Sequence, residues 1–211
     1  MVEQPRRVDL GAEAYDERWE RLAASGAAVH GEADLVERLL ATMPEAPPRA
    51  RVLDAGCGTG RVAIRLAERG LDAVGVDLDP ALLDRARAKA PQVPWHRADL
   101  AALAPDDVPG PFDAVVMAGN VMIFVAPGTA AAVVANLAAR LHPGGVLVAG
   151  FQLLPGRLSL GTYDACVAAA GLTPVARYAT WDGARFTGGD YVVAVDATPP
   201  PASSPASTAP S

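Results

Sequence analysis

The chain has 211 residues, of which 51% are hydrophobic, 20% charged and 5% aromatic, and its 18 Lys and Arg against 24 Asp and Glu give a net charge of −6. That length suits one domain, and that apolar fraction supports a packed core and excludes wholesale disorder. The acidic balance argues against broad, unspecific binding to phosphate backbones, and Cys57 and Cys166 are too few for a disulfide framework or a multi-cysteine zinc site.

Residues 1–11 read as a loose lead-in, and the polar start Met1-Val2-Glu3-Gln4-Pro5-Arg6-Arg7 lacks the apolar segment of a secretory signal. Tyr15, Trp19, Leu22 and Ala23 recur at helical spacing, which predicts a helix over 12–24. A second helix is expected over 32–43, with Leu35, Val36, Leu39, Leu40 and Met43 as its apolar stripe, ended by the proline cluster from Pro44. Strand and helix then alternate. Strands are expected at 51–55, 72–77, 93–97, 112–118 and 145–151, and helices at 60–69, 80–90, 129–141 and 160–170. Two closing strands, 175–181 and 190–195, meet at a Gly188-Gly189 turn. The apolar stretch from Ala114 to Ala139 is broken by Gly119, Asn120, Pro127 and Gly128, so it is not a membrane span. A cytoplasmic location is expected, suited to two free thiols. From Pro199 the chain holds only Pro, Ala, Ser and Thr, a composition expected of a disordered tail.

Short apolar strands alternating with helices imply an α/β fold: a doubly wound, mostly parallel seven-stranded sheet with an antiparallel closing hairpin. The expected organisation is a helical cap over 1–46, a ligand-binding domain over 47–198 and a tail over 199–211.

The most informative segment is Val52-Leu53-Asp54-Ala55-Gly56-Cys57-Gly58-Thr59-Gly60. Glycines at alternate positions between a strand and a helix let the backbone turn tightly and approach a ligand. In open sheets of this type the first such loop sits where ligands bind. Asp77 ends the second strand 21 residues after Gly56, the position from which a carboxylate accepts from a ribose diol. Asp99 ends the third strand, within reach of an adenine amino group. Asp54 stands inside the loop, where it would repel a pyrophosphate and favour a cationic ligand. An adenosine with a cationic, phosphate-free tail fits this set, and S-adenosylmethionine has that chemistry.

The loop, Asp77, Ala98-Asp99-Leu100 and Phe112-Asp113-Ala114-Val115 together resemble a class I S-adenosylmethionine-dependent methyltransferase. The likeness is good over about residues 51–151 and holds in outline elsewhere. It implies a Rossmann-like sheet of seven strands with the last antiparallel, and two amino-terminal helices covering the site. It implies that Asp54, Ala55, Gly56, Cys57, Gly58 and Gly60 cradle the methionine part and that Asp77 binds the ribose hydroxyls, with the adjoining Leu78 also at the cofactor. Asp99 and Leu100 would hold the adenine. Gly119, Asn120 and Val121 would face the sulfonium and the acceptor, and Tyr15 would touch the donor's methionine end.

Plainer readings stand beside these. Asp77 or Asp99 could cap a following helix, Asn120 could be a turn residue, Cys57 a buried filler, and Tyr15 and Trp19 helix packing. Methyl transfer from an activated donor needs orientation more than a base, so no catalytic residue is named. His30 and Asn120 are the weak candidates, while His96 in a strand and His142 at a helix end read as structural. The three histidines show no metal-ligand spacing, so no metal is expected. The Ala118-Gly119-Asn120-Val121 run lacks the proline pair and aromatic of enzymes acting on nucleic-acid bases, so the expected partner is a small-molecule acceptor, with no nucleic acid and no membrane. Two other classes share part of the pattern: a non-catalytic S-adenosylmethionine-binding protein, and a nicotinamide-dinucleotide oxidoreductase, which would need a pyrophosphate at the loop.

Overall fold

The computed structural model describes residues 30–43 and 49–200, with Glu17, Arg21 and Pro47. The helix expected over 12–24, with Tyr15 and Trp19, and residues 201–211 of the expected tail lie outside the described residues.

In chain order the elements are α1 (Gly31–Thr42), β1 (Arg51–Ala55), α2 (Arg61–Glu68), β2 (Asp72–Asp77), α3 (Pro80–Lys89) and β3 (Trp95–Arg97). A 3₁₀ turn (Leu100–Ala102) follows, then β4 (Phe112–Met117), α4 (Val121–Phe124), α5 (Ala130–Ala138), β5 (Leu141–Gln152), α6 (Leu160–Ala169), β6 (Thr173–Tyr178) and β7 (Tyr191–Ala197). One seven-stranded sheet has the order β3-β2-β1-β4-β5-β7-β6. The pairs β1–β2, β1–β4, β2–β3 and β4–β5 are parallel, and β7 runs antiparallel to both β5 and β6. The closing hairpin therefore folds back, so that β7 lies inside the sheet and β6 forms the edge.

Side-chain alternation along the strands splits the core in two. Leu53, Val74, Val115, Leu147 and Val192 face α5 and α6, where they meet Val133, Leu137, Tyr163 and Val167. Val52, Ala73, Val116, Val148 and Val193 face the opposite side, where they meet Leu35, Val36 and Leu40 of α1 and Val62 and Leu66 of α2. Burial on both faces explains why the strands read as continuous apolar runs. Two helix starts are fixed by side chains: Asp79 accepts from Ala81 and Leu82 N–H groups ahead of Pro80, and Ser159 accepts from Thr162 N–H.

Two expectations need correction. The helix expected to reach residue 141 ends at Ala138, and His142 lies in β5, not at a helix end. Leu141 pairs with Phe112, and the register then jumps so that Ala114 pairs with Val146. Residues 142–145 form the irregularity between these pairings, and its geometry is decided by β4 rather than by helical periodicity. The short helix α4 was not expected, because four residues carry no readable period. No helix among the described residues is long and apolar enough to cross a membrane.

Candidate functional site

The strand order reverses between β1 and β4, so the loops after these two strands part on opposite sides of the sheet and leave a crevice at its carboxyl edge. The loop after β1 is fastened to the tip of β2. Gly56 and Cys57 N–H groups both donate to Val76 O, at 2.8 and 3.0 Å, and Gly58 N–H donates to Asp77 Oδ2 at 2.8 Å. Asp77 Oδ1 accepts from Asp79 N–H at 2.9 Å. A loop that binds pyrophosphate aims such N–H groups at the ligand. Here three of them are engaged within the fold.

Gly58 has φ +56°, and a Cβ there would meet nothing within 4 Å, so this bend of the loop faces open space. Gly56 has φ +79°, and a Cβ there would come within 2.5 Å of Val121 Cγ2. The loop after β4 is thus packed directly on the loop after β1. Trp95 of β3 lies across Gly60 and Gly75, close to Cys57 Sγ, with its indole N–H donating to Ala90 O at 2.9 Å. Cys57 is buried, which pushes its thiol up, so it fills space here rather than presenting a thiolate.

Asp54 is placed beneath the loop, not inside it. It is 2% exposed, and Oδ2 accepts from Ala63 N–H in the first turn of α2 at 3.0 Å. Burial raises its carboxyl to about 7, against the pull of the Ala63 N–H and of Arg61. Buried there, Asp54 does not exert the repulsion of pyrophosphate expected of it; what disfavours a pyrophosphate is that the Gly56, Cys57 and Gly58 N–H groups are already engaged within the fold. Arg61, the cation nearest the loop in sequence, is held by Glu32 of α1 in a pair whose side chains are 13% and 9% exposed. Arg69 continues this helix–helix contact through Asp34, at 2.5 Å, and Glu37.

At the tips of β2 and β3 stand the other acids. Asp77 is buried beside the loop. Asp99 is exposed and Oδ1 accepts from Ala101 N–H at 2.9 Å, so it does cap the short turn that follows. Between them, Leu78 is 57% exposed and offers an apolar surface flanked by carboxylates. Leu100 is buried under this turn. An open glycine bend, a carboxylate already fixed at a strand tip, an exposed leucine and a second carboxylate one strand away fit an adenosyl group with no phosphate.

Across the crevice, Gly119 has φ +66° and Asn120 φ +67°. Asn120 Oδ1 accepts from Gln152 N–H at the end of β5, at 2.9 Å. Phe124 and Leu154, which follow these two strand ends, are 52% and 39% exposed. His30 sits apart from this loop in its charged neighbours. It precedes α1 without capping it, its Nδ1 is buried with no hydrogen-bond partner among the described residues, and burial together with Arg65, Arg61 and Arg69 lowers its pKa. Among the described residues no group of three His, Cys, Asp or Glu is placed to hold a metal. A groove of about 350 Å³ lined by Arg49, Asp72 and Gln92 lies at the amino ends of the strands, away from the loop.

Three residues that matter here were not singled out in the sequence. Trp95 had a signal, since an interior strand glycine such as Gly75 marks a close approach. Gln152 and Glu32 had none, because each acts through a partner 32 or 29 positions away.

A family model described as a methyltransferase domain matches residues 52–145. The chain is similar to a TehB-like S-adenosylmethionine-dependent methyltransferase from Corynebacterium glutamicum. The two are 35% identical, the match covers 89% of this chain and 97% of that one, and the TM-score is 0.78. It is also similar to the magnesium-protoporphyrin O-methyltransferase of Rhodobacter capsulatus, 38% identical over 94 residues, covering 42% of this chain and 40% of that protein. A trans-aconitate 2-methyltransferase from Methylobacterium nodulans is 37% identical over 111 residues, covering 52% and 40%. The chain thus spans less than half the length of these two curated relatives.

Proposed function

The chain belongs to the S-adenosylmethionine-dependent methyltransferases, and from this we propose that it transfers a methyl group to a small-molecule acceptor by in-line displacement. When bound, S-adenosylmethionine supplies a methyl carbon already activated by its sulfonium. The chain's residues then have to bind, orient and keep the site dry, which in well-placed systems accounts for ~7–11 kcal/mol of barrier.

The observation that carries the reading is the pair of carboxylates at neighbouring strand tips, Asp77 and Asp99, beside a glycine loop whose amides are engaged elsewhere. In our reading Asp77 turns its remaining lone pairs to the ribose hydroxyls and Asp99 accepts from the adenine amino group, with Leu78 against the base and Leu100 beneath it. Ala55, Gly56, Cys57, Gly58 and Gly60 form the wall at the methionine part. Asp54 supports that wall by holding the start of α2. Gly119, Asn120 and Val121 face the sulfonium and the acceptor, and Tyr15 closes the methionine end. Residues 47–198 form the transfer domain and 1–46 its cap.

A small acceptor is supported by the magnesium porphyrin and trans-aconitate named for two relatives and by the absence of the nucleic-acid-type motif at Ala118-Gly119-Asn120-Val121. Asn120 commits its oxygen to Gln152, so its free amide N–H groups can donate to an acceptor but cannot take its proton. The test is incubation of the full chain with metabolite fractions and isotopically labelled S-adenosylmethionine, read by mass spectrometry. Label in a small product is the expected result. Label only in nucleic acid or protein would overturn the choice of acceptor, and no label above the level of a heat-killed control would favour a non-catalytic binder.

A further inference from the structure

We propose that Asn120 is a positioning residue that holds the acceptor-side loop against the cofactor loop. The inference rests on the placement of Gly119, Asn120 and Val121 at the donor given above.

Among the described residues Asn120 is the one non-glycine with positive φ. Asparagine tolerates this region better than most side chains, but glycine would adopt it without strain, as Gly119 beside it does. The side chain therefore has a use that offsets its backbone cost. That use is visible: Oδ1 receives the N–H of Gln152, the last residue of β5, and so joins the ends of β4 and β5. The bend sets the direction of the next residue, Val121, whose methyls rest in the hollow at Gly56. Gly56 is in turn tied to Val76, and Gly58 to Asp77. One continuous set of contacts thus runs from β5 through Asn120 and Val121 to the loop after β1 and to the acid at the tip of β2. Releasing the Oδ1 bond lets Val121 leave Gly56, and the cofactor loop loses the wall that fixes it on the side of β4.

The test uses the full chain with Asn120→Gly, which keeps the backbone conformation and removes the oxygen, and Asn120→Asp, which keeps both. S-adenosylhomocysteine is the probe, because its sulfur is uncharged and the added carboxylate then exerts the least direct pull. Calorimetry is expected to show about tenfold weaker binding to Asn120→Gly and recovery to within about threefold of the native chain in Asn120→Asp. Hydrogen exchange should quicken at 56–60 as well as at 119–125 in Asn120→Gly alone. A residue with only a structural role would lower the melting temperature without this pattern of loss and rescue. Val121→Ala, which leaves the Oδ1 bond in place, should also weaken binding, and it reads the same contact if Asn120→Gly folds poorly. Native-like affinity in both Asn120→Gly and Val121→Ala overturns the inference, as does equal loss in Asn120→Gly and Asn120→Asp. A native chain that binds neither S-adenosylhomocysteine nor S-adenosylmethionine overturns the donor-site reading as well.

Discussion

Asp77 receives the Gly58 N–H on one carboxylate oxygen and the Asp79 N–H on the other, so the acid at the tip of β2 organises the loop it would share with a ligand. The side chain is buried, and both bonds are of ordinary length. Loop shape and ligand contact are therefore two consequences of one carboxylate.

Replacing Asp77 should reveal both. Asp77→Ala leaves the Gly58 and Asp79 N–H groups without their partner, a loss of about 1–3 kcal/mol. S-adenosylmethionine affinity should fall as well, by about 1–3 kcal/mol, because the ribose hydroxyls lose their acceptor, and calorimetry measures it. Asp77→Asn, which keeps an acceptor oxygen, should lose less. Unchanged affinity in a folded Asp77→Ala chain would mean that the ribose lies elsewhere.

The two loop glycines should fail in different ways. Gly56→Ala forces a methyl into Val121 and should lower the melting temperature sharply. Gly58→Ala meets open space, so its cost to the fold is the left-handed backbone alone, about 1–2 kcal/mol. Its larger effect should be on cofactor binding, because the methyl enters the volume assigned to the ligand. Thermal melts with and without S-adenosylhomocysteine separate these outcomes.

Asp54 should give the fold a pH dependence of defined sign. Burial raises its carboxyl to about 7 in the folded chain, so the fold binds a proton that the unfolded chain has released. Its contribution is full below the ordinary carboxylate range and is lost as pH rises toward that raised value. Asp54→Asn keeps an acceptor for Ala63 N–H and does not titrate. The stability of the variant minus that of the native chain should therefore grow between about pH 4 and pH 7 and level off above, as followed by urea unfolding. A flat difference across that range would place Asp54 in a wetter site.

Behind the sheet, Tyr163 O–H donates to Asp196 Oδ2 at 3.0 Å, and Arg177 donates to Asp196 Oδ1 at 2.7 Å. Asp196 is fully buried, and burial raises its pKa despite Arg177. Tyr163→Phe should cost about 1–3 kcal/mol. Arg177→Met removes the cation and should cost more, about 3–5 kcal/mol, because it leaves a buried carboxylate unpaired. Neither variant touches the loop after β1, so affinity for S-adenosylhomocysteine at 25 °C should be retained in chains that remain folded.

The alternation of apolar strands and helices was legible because each strand is buried on both faces and each helix on one stripe. The glycine spacing and the position of Asp77 were legible because a βα unit has nearly fixed length. The roles of individual residues were less so. Asp99 reads as an adenine ligand with a helix cap as the plainer alternative, and its bond to Ala101 is the capping one. Asp54 reads as a residue facing into the loop, yet it lies beneath it, because burial and the start of α2 capture the carboxylate. His142 was misplaced by helical spacing, since strand pairing with β4 overrides a weak local period.

Local pattern and spacing along the chain were sufficient to name a mostly parallel seven-stranded sheet, the succession of its strands and longer helices, and the class of nucleoside it suits, since these follow from periodicity and from the reach of one strand–helix unit. Which amides of the loop are engaged, that Val121 sits against Gly56, and that Asn120 is tied to Gln152 were decided only by tertiary packing. Those contacts join residues 19, 65 and 32 positions apart, and no local propensity carries information over such separations.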